Sequence, residues 1–319
     1  MKRVLLGIMC VALAYPALAS KSPRVPPHVV AGGPTTVTIA SNPLTIVVGS
    51  DTSAQVYNSN VPGTGQFYPP DCGPGETADN GVFASLSAIV YGPDFDNHPC
   101  GSASNSYTPW TPVSMTPVTG TGTAGDPFTV VIVVDAGTTG LRLTETLTYI
   151  AGQPQYNMSL VFSNVGNTAL TWDTFTGSDL YLADNDEGFA ILQGTAAGGR
   201  GANSSCLPLQ YVILLLTPTP ADRWAGEDYS IVWDEISAGN LSNTVDSATC
   251  QDNGAAVEWT QRSLTPGGSV TIGTGVSFTG SAVPQGGTVP TLSTLGLAAL
   301  VLALALVGYL LAGRHSLGA

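Results

Sequence analysis

Short apolar runs recur along most of the chain, each closed by Gly, Pro, Asn or Asp. They include LTIVVG from Leu44, VFASLSAIVYG from Val82, PFTVVIVVDAG from Pro127, LRLTETLTYIAG from Leu141 and YNMSLVFSNVG from Tyr156. LQYVILLLTP from Leu209, YSIVWDEI from Tyr229, AAVEWTQRSL from Ala255 and SVTIGTGVSFTG from Ser269 continue the series. Runs of this length between such breakers read as strands. In the strand from Tyr156, the side chains of Tyr156, Met158, Leu160 and Phe162 share a face, with Asn157 and Ser159 opposite. That alternation marks a half-buried antiparallel strand. Phe128–Val134 is apolar on both faces and predicts a strand buried between layers. No part of the body reads as helical, so YSIVWDEI is placed with the strands. The expected fold is all-β: a large, multi-layer antiparallel β-sandwich.

The two ends break this pattern. Lys2 and Arg3, the apolar run Val4–Leu13 and Ala17-Leu18-Ala19 predict a signal peptide over 1–19. A Pro/Gly-rich leader spans 20–34, the β-body 35–281 and a second Gly/Pro linker 282–288. The last segment, 289–319, holds an uncharged stretch from Leu295 to Gly313, followed by Arg314. About 19 residues at ~1.5 Å each span roughly 28 Å, near the thickness of a bilayer core, so a C-terminal transmembrane helix is expected. Arg314 would stay on the cytoplasmic side.

Composition and charge narrow the class. Charged residues make up 10% of the chain, with 9 Lys+Arg against 22 Asp+Glu. Loss of Lys2 and Arg3 with the signal peptide gives 7 − 22 = −15. An acidic chain lacks the basic surface that releases counterions from nucleic acid, so no nucleic-acid partner is expected. Beyond Cys10, the chain holds Cys72, Cys100, Cys206 and Cys250, an even set in an exported sequence. Order along the chain predicts the pairs Cys72–Cys100 and Cys206–Cys250.

Several stretches carry candidate chemistry. The face of Leu141, Leu143, Leu147 and Tyr149 also carries Glu145. A carboxyl group on an apolar face is costly unless paired. It predicts either a strand end or a partner such as an arginine, or else a binding or catalytic carboxylate with a raised pKa. Trp224, Trp233, Asp234 and Glu235 lie close together in sequence. Three readings stand for them: an ordinary core, a carbohydrate-binding surface, or a glycoside-cleaving pair of carboxylates. Asp184, Asp186 and Glu187 crowd a turn whose oxygens could hold calcium, although their spacing departs from the twelve-residue calcium loop. Gly120–Gly125 matches G-x-G-x-x-G but precedes Asp126-Pro127 and a strand instead of a helix, so it reads as a turn. His98 is the sole histidine of the body and reads as a structural loop residue. No cofactor is expected.

Val289-Pro290-Thr291-Leu292-Ser293 and Gly296, followed by the apolar stretch and Arg314, resemble the IPTL-CTERM sorting signal of Gram-negative bacteria. Thr294 and Leu295 stand where that family has an acidic residue and Trp. The resemblance implies signal peptidase and an exosortase-type membrane protease as processing partners, a stage in the inner membrane, and delivery to the surface or matrix in association with exopolysaccharide. A permanent tail anchor is the alternative. The body, through Thr108–Ser114, Gly125–Val131, Gly140–Thr144 and Asp252–Gly254, resembles an uncharacterised β-rich domain of exported bacterial proteins. Sandwiches of this size are similar to the galactose-mutarotase-like supersandwich. The expected function is therefore a non-enzymatic surface or matrix protein, with a carbohydrate-binding or carbohydrate-cleaving domain as the alternative.

Overall fold

The computed structural model describes residues 34–70, 75–99 and 107–279. The signal peptide, the sorting motif with its apolar stretch, Cys72 and Cys100 lie outside the described residues. No helix among the described residues is long and apolar enough to cross a membrane.

The body is dominated by strands. β1 (Thr36–Ile39), β2 (Leu44–Gly49) and β3 (Ala54–Asn58) form one antiparallel sheet. The remaining strands are β4 (Asn80–Leu86), β5 (Ile89–Gly92), β6 (Thr108–Pro109), β7 (Thr111–Met115), β8 (Phe128–Asp135), β9 (Leu141–Tyr149) and β10 (Gln155–Asn164). They continue with β11 (Leu170–Asp179), β12 (Glu187–Gln193), β13 (Ala196–Ala202), β14 (Pro208–Leu216), β15 (Arg223–Asp228), β16 (Gln251–Leu264) and β17 (Ser269–Thr279). These fourteen share a single hydrogen-bonded path, β6-β5-β4-β11-β16-β12-β13-β14-β17-β10-β9-β8-β7, with β15 paired beside β16.

The two ends of that path, β6 and β7, are consecutive in the chain and separated only by Trp110. The sheet therefore returns on itself, and Trp110 is the covalent seam. Its indole is 2% exposed, stacks near Tyr91 at 6.0 Å between centroids, and donates Nε1–H to Val82 O at 2.8 Å.

The small sheet is covered on both sides. β2 and β3 are buried at nearly every position, on both faces. Leu44, Ile46, Val48 and Val56 belong to the same core as Leu143, Leu147 and Tyr149 of β9 and Val257 and Trp259 of β16. This accounts for the run LTIVVG, apolar but for the half-buried Thr45, since a strand with two covered faces has few positions that favour a polar residue. Tyr149 OH accepts from Leu44 N at 3.3 Å and ties the two sheets together.

Two elements differ from the sequence reading. β8 is buried on one face only: Val130, Ile132 and Val134 are buried, whereas Val131 and Val133 are half-exposed. Its second apolar face reflects the β-propensity of valine rather than a covering layer. The run YSIVWDEI is not a strand. It forms helix α1 (Tyr229–Ala238). Asp228 caps its N-terminus by accepting from Ser230 N at 3.0 Å, and Gly239 ends it in the left-handed conformation at φ 71°. Tyr229, Val232, Trp233 and Ile236 follow i, i+3, i+4, i+7 spacing and pack into a second core with Phe83, Phe95 and Phe175. Gly177 and Gly254 let the helix lie close to the sheet, since a Cβ at Gly254 would sit 2.8 Å from the Tyr229 Cα. Gly120–Gly125 is a turn, as expected, with Asp126 N donating to Thr123 O at 3.1 Å.

Candidate functional site

The hairpin between β2 and β3 ends in a buried turn that carries Asp51, which is 3% exposed. Its Oδ1 accepts from Ser53 N at 3.2 Å and from Ser53 Oγ at 2.5 Å. Its Oδ2 accepts from Asp94 N at 3.1 Å and lies 2.7 Å from His98 Nε2. Ser53 Oγ also bonds Thr77 Oγ1 at 2.8 Å. Thr52, at the tip, holds the left-handed conformation at φ 75° and hydrogen-bonds β4 through Val82 N and O. A buried non-glycine residue in that conformation carries a strain of order 1–3 kcal/mol, which the surrounding bonds must offset.

His98 follows the 3-10 turn Phe95–Asn97 and is fully buried, edge-on to Phe95 at 5.2 Å between centroids. Its Nδ1 has no hydrogen-bond partner among the described residues. Burial opposes charge on both members of the pair. For Asp51, bonds and charge from His98 and Ser53 outweigh that, and its pKa is lowered. For His98, Asp51 and the more distant Asp79 and Asp94 outweigh it, and its pKa is raised. The pair thus links the β2–β3 hairpin to the segment after β5, each partner favouring the charged form of the other. His98 is structural, as the sequence suggests, but it acts through an aspartate that the sequence reading had not singled out.

Glu145 is mid-strand on β9, 2% exposed, and its Oε2 has no partner among the described residues. Neither expected relief applies. It is not at a strand end, and Arg142, the one arginine on β9, instead makes a two-pronged pair with Asp135 at 2.7 and 2.9 Å. Burial, with the negative charge of Asp51 nearby, pushes the Glu145 pKa up to about 8. The group is therefore a neutral carboxylic acid at pH 7. Burial and the Glu145 carboxyl also push the Tyr156 phenol up.

Above the Asp51 turn lies a cleft of about 310 Å³ lined by Thr35, Ser50, Asp94, Asn97, Trp110 and Pro112, with Asp51 at its floor. Asp94 Oδ2 accepts from Asn97 Nδ2 at 2.7 Å on the rim.

The residues proposed from sequence as a carbohydrate constellation are not assembled into one site. Trp233 is 1% exposed in the core under α1. Asp234 faces solvent on the opposite side of the helix. Glu235 Oε2 accepts from Ser242 N at 3.1 Å, which fastens the loop after the helix. Trp224 is half-buried against the main core. A carboxyl group that sequence reasoning did not single out, Glu258 on β16, accepts from Leu241 N at 2.8 Å. Burial, opposed by that bond and by Arg223, pushes its pKa up to about 7.

Asp184 and Asp186 lie between β11 and β12 and Glu187 opens β12, but the three do not bring their carboxylates together within 4.8 Å. Asp184 takes a left-handed conformation and accepts from Tyr181 OH at 3.4 Å. Glu187 points toward Cys206 and Cys250. These two cysteines are joined as a disulfide with Cα atoms 5.8 Å apart, the pairing expected from the sequence, so neither sulfur is free to bind a metal.

No family model matches the chain, and no curated protein matches it. Among solved structures it is similar to a bacterial glucoamylase complexed with acarbose, at 11% identity and TM-score 0.47, over 82% of this chain and 36% of that one. A TPR-domain containing protein from Parabacteroides distasonis matches at 11% identity and TM-score 0.46, over 80% and 49%. A putative aldose 1-epimerase from Escherichia coli K12 matches at 13% identity and TM-score 0.44, over 77% and 99%. The chain thus spans well under two thirds of the glucoamylase and of the TPR-domain protein, and at such low identity none of these names transfers to it.

Proposed function

We propose that this chain is an exported envelope protein of a Gram-negative bacterium, with a non-catalytic structural or binding β-body delivered by its C-terminal sorting signal. The body is of the supersandwich kind in this reading, and an apolar helix over Leu295–Gly313 holds the chain in the inner membrane until an exosortase-type protease acts. The observation that carries the reading is the Cys206–Cys250 disulfide, because such bonds persist in oxidising compartments and rarely in the cytosol. The dispersal of Trp233, Asp234 and Glu235 into helix packing and loop fastening supports a non-catalytic role for that stretch.

Replacing Pro290-Thr291-Leu292-Ser293 by alanines tests the delivery route. Insertion should persist, since the apolar stretch is intact, while processing fails and an intact form accumulates in the inner membrane. Unchanged processing would overturn the sorting reading, and a mature chain ending at Ala319 in its native host would leave a permanent anchor. Non-reducing peptide mapping should recover the Cys206–Cys250 link. On the chain-entropy model a loop closed across 44 residues contributes about 4 kcal/mol, so reductant should lower the melting temperature by several degrees.

A further inference from the structure

We propose that the cleft above the Asp51 turn is a binding site for a neutral, hydroxyl-rich ligand of the saccharide class. The inference goes beyond the envelope reading and stands without it. At about 310 Å³ the cleft lies at the lower end of the roughly 300–1,000 Å³ of small-molecule sites, enough for one or two sugar rings. Its floor is pre-organised. Asp51 is held by Ser53, Asp94 N and His98, and Thr52 is pinned to β4 through Val82. A site rigid before binding spends little free energy on ordering.

The lining selects the ligand by chemistry. No basic side chain lines the cleft among the described residues, and the chain carries a net charge of −13, so an anion is disfavoured. Asp51 is paired with His98 at 2.7 Å, which leaves Asp94 as the one carboxylate without an ion-pair partner among the described lining residues and weakens the pull on a polycation. What remains is a carboxylate, an amide and two hydroxyls, from Asp94, Asn97, Ser50 and Thr35, against the apolar walls of Trp110 and Pro112. Asp94 Oδ2 is oriented by Asn97 Nδ2, and a carboxylate set in this way accepts from adjacent hydroxyls on a ring. The Trp110 indole is buried and its N–H is spent on Val82 O, so it serves as a wall and not as an exposed stacking platform.

The test is calorimetric titration of the intact chain with three neutral disaccharides, cellobiose, maltose and lactose, alongside galacturonate as an anion and spermidine as a cation. At least one neutral disaccharide should bind at micromolar to millimolar concentration, and galacturonate should not. Asp94→Asn should weaken binding about tenfold or more, the scale of one charge-assisted hydrogen bond. Asn97→Ala, at an exposed position, should weaken it while leaving the urea midpoint unchanged, which separates loss of the site from loss of the fold. Absence of disaccharide binding, binding of spermidine alone, or binding that neither substitution weakens would overturn the proposal.

Discussion

Asp51 and Glu145 are both carboxyl groups with almost no exposure, 3% and 2%, and they are close enough to feel each other's charge. They nevertheless settle in opposite protonation states. The Asp51 pKa falls because His98 and Ser53 supply a cation and two donors, enough to overcome desolvation. That of Glu145 rises to about 8 because nothing offsets desolvation and Asp51 adds a like charge. Partners, not depth, decide the charge of a buried acid. One group therefore fastens the hairpin tip to the segment that follows β5, while the other is a tolerated cost in the middle of a strand.

The largest test of this contrast is pH. The folded pKa of Glu145 lies above its unfolded value, so its contribution is complete below the ordinary carboxyl range and is lost as pH rises toward about 8. Across that window the wild-type protein should lose on the order of 1.4 kcal/mol of stability per pH unit through this group. Glu145→Gln keeps the shape and removes the proton. Urea unfolding at several pH values should show a flatter profile and a more stable protein at pH 8. An unchanged slope would mean that Glu145 has an undetected partner.

Next in size is the link itself. His98→Ala leaves the Asp51 carboxylate buried without its cation and should cost about 3–5 kcal/mol in urea unfolding near pH 6. The His98 pKa is raised, so its contribution is present below the ordinary histidine pKa and fades as pH climbs through the folded value. The gap between wild type and variant should therefore narrow at alkaline pH. The Asp51 pKa is lowered, so its own contribution disappears only in strong acid.

The smallest effect belongs to a pair with the same chemistry at the surface. Arg142 and Asp135 meet in good geometry, but their side chains are 35% and 24% exposed. Arg142→Ala should cost no more than about 1 kcal/mol, and less in high salt. A loss comparable to that of His98→Ala would contradict the distinction between partnered burial and surface contact.

Legibility from sequence follows the range of the interactions. The strand from Tyr156 was readable because alternation is local, and Glu145 stood out because it broke a local alternation. The Cys206–Cys250 pairing was readable from order along the chain. Helix α1 was misread although Tyr229, Val232, Trp233 and Ile236 carry its period, because a ten-residue run rich in aromatic and β-branched side chains also satisfies a strand. β8 was read as doubly buried because Val131 and Val133 are apolar, yet they remain half-exposed. The Asp51–His98 link was out of reach, since its members lie 47 residues apart, one in the small sheet and one after β5 of the large sheet. The cleft is likewise made by the tertiary fold, from Ser50, Asp94, Asn97 and Trp110.

The most direct measurement is infrared difference spectroscopy of the carboxyl stretch at pH 7, comparing wild type with Glu145→Gln and Asp51→Asn. The account predicts a protonated-carboxyl component from Glu145 in the wild type, beside that of Glu258, which is lost in Glu145→Gln and persists in Asp51→Asn. A wild-type spectrum without that component, or a component lost with Asp51→Asn but kept in Glu145→Gln, would contradict the assignment of opposite charges to the two buried acids.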